Sequence, residues 1–205
     1  MESFDWDGFL RRWNEELLSD ERVRERLPAK VLASGWLGLP GASPTQIKRA
    51  ERRLGTTLPP SYRAFLTISN GWWWAADAAG PLWPVRKIEW FRARHADLIR
   101  DWPESRRMVD PAHLSVPDED YFVYGEEQES ETLRYEYLPA TLEISDMARG
   151  DAHAYLLNPH VTTPEGEWEA WDYASWYPGA HRHRSFQELM QAQHRLYRST
   201  RGERE

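Results

Sequence analysis

From Phe4 to Leu18 the apolar positions Phe4, Leu10, Trp13, Leu17 and Leu18 approximate one stripe, with Asp7, Arg11, Arg12 and Glu15 around it. That spacing predicts an amphipathic helix over residues 4–18. Ser19 or Asp20 offers a cap for a second helix reaching Leu27, where Pro28 interrupts. The next block carries its own punctuation. Ser43-Pro44 supplies an N-cap and a proline at the first helical position. Ile47, Ala50 and Leu54 form the apolar side, and Gly55 is the C-cap. Leu58-Pro59-Pro60 is an extended entry, because a residue before proline avoids the helical region. A further helix from Pro60 places Tyr62, Phe65, Leu66 and Ser69 on one side and is expected to stop at Asn70-Gly71, which tolerate positive φ.

Trp72-Trp73-Trp74 follows that stop. Three consecutive rings on extended chain cannot face one way. Either all three pack inward, or an outward member is an aromatic anchor for a partner, so Trp72, Trp73 and Trp74 are all candidates. Residues 83–102 read as a short strand or turn and then a helix with Trp90, Phe91, Leu98 and Ile99. Tyr121 and Val123, then Leu133, Tyr135 and Tyr137, alternate with period two around the polar run Gly125 to Thr132. This predicts a hairpin with a long acidic tip. Residues 142–144, 154–157 and 167–171 add strands, with turns at Gly150-Asp151 and Pro164-Glu165-Gly166. A closing helix from Ser185 presents Phe186, Leu189, Met190 and Tyr197.

The order predicts an α+β fold: N-terminal helices, a mostly antiparallel sheet of about five or six strands, and a C-terminal helix. Residues 1–35 form a helical extension packed on a main domain spanning 36–200, and 201–205 are a charged, frayed tail.

Composition narrows the function. A chain of 205 residues buries a sizeable core without staples. Cysteine is absent, which excludes disulfides, thiolate zinc sites and a cysteine nucleophile. The start, Met1-Glu2-Ser3-Phe4-Asp5, is acidic and no run approaches about 18 uncharged apolar residues, so a cytoplasmic location off the membrane is expected. Twelve tryptophans supply core area and potential contact surface. The net charge of −7 disfavours direct nucleic-acid binding, despite Arg106-Arg107 and Arg182 with Arg184.

That charge is uneven. Residues 115–146 hold ten carboxylates against one base, Arg134, so this segment carries −9 and the remainder about +2. An acidic patch speeds encounter with a basic partner; the alternative is a solvated loop with no partner.

No catalytic set emerges. His181-Arg182-His183-Arg184 puts two imidazoles at i and i+2, which share a face on a strand, but flanking guanidinium groups repel a cation. There is no His-Glu-x-x-His helix, no phosphate-binding Gly-rich loop and no Gly-x-Ser-x-Gly elbow. The expectation is a non-enzyme with no metal and no cofactor.

Thr45-Gln46-Ile47, Ala50-Glu51, Leu54-Gly55, Leu58-Pro59, Ser61-Tyr62, Phe65-Leu66 and Asn70-Gly71 together resemble the first motif of the SUKH superfamily. That superfamily includes bacterial toxin-immunity proteins and fungal cell-wall-synthesis regulators. Ile144, Gly150-Asp151 and Tyr155-Leu156-Leu157 are similar to its central strands, and Ser185 to Leu189 to its closing helix. The resemblance covers residues 43–197. It implies an immunity protein of a polymorphic toxin system that neutralises a cognate toxin, one targeting nucleic acid, by binding it. The alternative it leaves is a non-catalytic regulator or scaffold with an endogenous partner. The shared residues read as structural: Glu51 pairs locally, Pro60 starts a helix and Asn70-Gly71 end one. The proposed partner-binding residues are therefore in the acidic segment that the resemblance does not cover: Asp118, Glu119, Asp120, Tyr121, Glu126, Glu127, Glu129 and Glu131.

Overall fold

The computed structural model describes residues 4–73, 80–97, 99–100, 116–145, 153–174 and 179–202. Trp74, Arg106-Arg107, Asp146 and Gly150-Asp151 lie outside them. Three helices open the chain: α1 (Trp6–Ser19), α2 (Glu21–Arg26) and α3 (Ala29–Ser34). Asp5 caps α1 by accepting from the Gly8 amide, and Asp20 ends α1 and caps α2. Helices α4 (Pro44–Leu54) and α5 (Pro60–Ile68) follow the predicted punctuation. Ser43 and Gln46 form a reciprocal capping box, and Gly55 takes the left-handed conformation at φ 70°.

Glu51 acts locally, as expected. Its carboxylate accepts from the Leu58 amide at 3.0 Å and meets Arg63 at 3.1 Å. Helix α5 stops at Ile68, two residues before Asn70. Asn70 and Gly71 instead belong to strand β2 (Ser69–Trp72), which pairs with β1 (Gly38–Pro40). Asn70 Oδ1 accepts from the Val85 amide at 2.7 Å and ties down the next loop. Gly71, at φ 118°, lies so close to the Leu82 carbonyl that a Cβ would sit 2.9 Å from it.

The main sheet has five antiparallel strands in chain order: β3 (Glu89–Trp90), β4 (Leu142–Glu143), β5 (His153–Thr162), β6 (Trp168–Ala174) and β7 (Ala180–His183). One face presents Tyr155, Leu157, Trp168 and Ala170 to the core built by α1, α4, α5 and the closing helix α8 (Phe186–Gly202). The other presents Ala154, Leu156, Trp171, Tyr173 and Ala180 to a second core with Phe91, Leu133 and Leu138. Phe91 begins the short helix α6 (Phe91–Arg94).

The predicted hairpin over 121–137 does not form. The segment is instead a helical turn, α7 (Asp118–Tyr121), a 3-10 turn at Gly125–Glu127 and a 3-10 helix at Tyr135–Ala140. Its alternation came from inward-facing Tyr121 and Leu133 on an irregular chain that crosses the sheet. Among the described residues, no helix is long and apolar enough to cross a membrane.

Candidate partner-binding face

Pro117 opens the acidic segment with extended geometry, and its carbonyl receives the Tyr121 amide at 2.8 Å. The turn that follows points Asp118, Glu119 and Asp120 outward and buries Tyr121. Gly125, at φ 84°, then reverses the chain, and Glu126, Glu127, Glu129 and Glu131 are exposed. Seven of the eight predicted partner-facing side chains therefore lie on one exposed segment. Tyr121 does not: its ring is fully buried, so it belongs to the support beneath the face. Trp72 is also inward, at 1% exposure, whereas Trp73 is half-buried.

The support is a polar network that the strand pattern conceals. Glu169 projects from β6 into the second core and is 1% exposed. Its Oε2 accepts from Tyr121 Oη at 2.6 Å, Trp171 Nε1 at 2.6 Å and Asn158 Nδ2 at 3.0 Å. Its Oε1 accepts from Tyr124 Oη at 2.8 Å. Burial, reinforced by this carboxylate, drives both tyrosine hydroxyls well above their usual pKa, so they stay protonated donors.

Arg182, from β7, lies beside the same carboxylate at 3.9 Å, with both side chains fully buried. Its guanidinium donates to the Tyr121 carbonyl and to Thr132 Oγ1 at 2.9 Å, and packs over the Tyr121 ring at 4.3 Å. A buried cation thus grips the acidic segment from below, and the pair with Glu169 keeps the interior neutral.

The segment also closes the free edge of the sheet. The Gln128 side chain donates to the Arg182 carbonyl at 2.9 Å and accepts from the Arg182 amide at 2.5 Å. The Ser130 carbonyl accepts from the Ala180 amide at 3.0 Å. Gly179, at φ 95°, allows this approach, since a Cβ there would collide with the Ser130 carbonyl. These bonds occupy the Ala180 amide and both main-chain groups of Arg182 on the outer edge of β7, which blunts it as a template for strand pairing. Arg134 pins the outer rim, donating to the Val116 carbonyl at 2.8 and 3.0 Å and pairing with Asp118.

His181 and His183 share a face of β7, as a strand requires. His181 is exposed, while His183 is half-buried with its Nε2 covered and without a hydrogen-bond partner among the described residues. Desolvation pushes the His183 pKa down to about 4. Among the described residues, no three potential ligands converge to hold a metal. Sequence reasoning missed Glu169, Arg182, Tyr124 and Gln128. The one available signal was a Glu and an Arg inside apolar strand runs.

A family model, the SMI1 / KNR4 family (SUKH-1), matches residues 41–191. A search of curated proteins returned no match.

Proposed function

Starting from the fact that this chain belongs to the SMI1 / KNR4 family (SUKH-1), which holds toxin-immunity proteins and regulators alike, we propose that it is an immunity protein. It binds a basic, nucleic-acid-targeting toxin through Asp118, Glu119, Asp120, Glu126, Glu127, Glu129 and Glu131, and blocks it without chemistry of its own. The observation that carries this reading is the exposed row of carboxylates held in fixed geometry by the buried Arg182 and Glu169. A nuclease surface that binds phosphates is basic, and a rigid acidic surface complements it. Preorganisation matters because a segment already ordered loses less entropy on binding.

The test is co-expression with a nucleic-acid-targeting toxin that the chain captures in a pull-down, followed by association kinetics. Reversing Glu126, Glu127 and Glu129 to lysine should slow association at low salt about tenfold or more and flatten its salt dependence. Unchanged kinetics would remove this segment from the interface. Failure of the unaltered chain to relieve growth arrest would remove the immunity role for that toxin.

A further inference from the structure

A cleft of about 570 Å³ opens between α3, the β1–α4 region and residues 81–87, a volume within the usual range for ligand sites. Its floor is apolar, with Trp72, Leu82 and Trp83 buried, and its rim carries Lys30, Arg86 and Lys87, all exposed. The described lining contains no carboxylate, in a chain of net charge −7.

Indole rings hold two of these rim cations, Lys30 and Lys87, in place. Lys30 Nζ lies 4.8 Å from the Trp73 ring centroid. Lys87 Nζ lies 4.3 Å from that of Trp83, and the Arg94 guanidinium 4.1 Å from the same ring. Each such contact is worth roughly 0.5–1 kcal/mol at an exposed site, enough to bias a flexible side chain toward one position.

We propose that this cleft binds an acidic, extended peptide segment of a partner protein, with carboxylates on Lys30 and Arg86. Single-stranded nucleic acid also seeks cations and aromatic rings, but it needs open ring faces on which to stack. Here Trp72 is 1% exposed and Trp83 4% exposed, and Lys30 already lies over Trp73. The cations, not the rings, are what a ligand meets. Lys30 comes from α3, before the family-matched region 41–191, so the N-terminal extension supplies one wall of the site.

The test uses the full chain at low salt and a fluorescent octapeptide of alternating Glu and Leu. Its Lys–Leu counterpart and a thymidine octanucleotide serve as comparison ligands. The Glu–Leu peptide should bind and shift the indole N–H resonances of Trp73 and Trp83, assigned through Trp→Phe variants. A double variant, Lys30→Glu with Arg86→Glu, should keep the unfolding midpoint, because both side chains are exposed, and weaken binding at least tenfold. Arg49→Glu with Arg52→Glu, the same charge change on exposed α4 positions outside the cleft, should weaken it far less. No binding, equal weakening by the two double variants, shifts confined to other tryptophans, or displacement by the oligonucleotide would each overturn the proposal.

Discussion

At the scale of single residues, Glu169 and Arg182 carry the argument because each is costly to bury alone. Glu169→Ala leaves Arg182 buried without its counter-charge and frees four donors at once. Unfolding in denaturant should show a loss of about 3–5 kcal/mol. Glu169→Gln, which keeps an acceptor, should lose less. Equal stability in Glu169→Ala and the unaltered protein would show that the network is not structural. His183 gives a pH prediction. Its folded pKa, about 4, is below the ordinary 6.5, so at intermediate pH the unfolded chain binds the extra proton. Stability present above about pH 6.5 is therefore lost as the pH falls toward 4. His183→Asn should flatten that part of the profile, and an unchanged acid limb would assign the loss to other groups. Little of this was legible in sequence beyond a Glu and an Arg placed inside apolar strand runs. Glu167-Trp168-Glu169-Ala170-Trp171 reads as a strand whose glutamates face water. Only the layer laid over that face buries Glu169, while Glu167 accepts from the Ser61 amide and hydroxyl at 2.7 and 2.6 Å.

At the scale of elements, the capped helices were legible, while α3, the strand at Trp90 and the acidic segment were not. Helices α4 and α5 begin and end on local signals, Ser43-Pro44, Gly55 and Pro60, whose chemistry operates within a few residues. The exception is the end of α5: Asn70 and Gly71 are spent on β2 pairing and loop anchoring, which are contacts to residues far along the chain. The segment 118–140 carries one such signal, the positive-φ Gly125. Its path follows the sheet edge it covers and the Arg182 guanidinium beneath it. Gln128→Ala removes both hydrogen bonds to the Arg182 backbone and uncovers β7. Hydrogen exchange at the Arg182 amide should accelerate, and stability should fall by about 1–2 kcal/mol. Undiminished protection there would mean that the edge is closed by other groups.

At the scale of the molecule, the sheet separates two surfaces of opposite character. The acidic segment lies over one face, and the basic cleft and α4 lie on the helical side. Residues of the N-terminal helices pack into the main core. Trp6 stacks on Phe186 with centroids 5.6 Å apart, Trp13 approaches Trp72 at 6.1 Å, and Glu16 meets His194 at 2.7 Å. Deleting residues 1–35 removes Trp6, Phe9, Leu10, Trp13 and Leu17 from that core, each side chain worth about 1.5–3 kcal/mol of burial. The truncated chain should lose its cooperative unfolding transition in calorimetry. A truncated protein that melts near the original temperature would make the helices a separable appendage.

The sequence by itself determined the α+β class, the boundaries of the capped helices, the family motif from Thr45 to Gly71 and the concentration of negative charge between residues 115 and 146. These rest on short-range periodicity, capping chemistry and residue counts, which do not depend on where the chain goes next. Only the tertiary structure decided which face of each strand meets which layer, because β6 and the first six residues of β5 are buried on both sides and lose the alternation that marks a half-exposed strand. It also decided that the acidic segment is an ordered cover over β7 and that Lys30, Arg86 and Lys87 converge. Those outcomes come from packing between residues far apart in sequence, and local pattern carries no record of it.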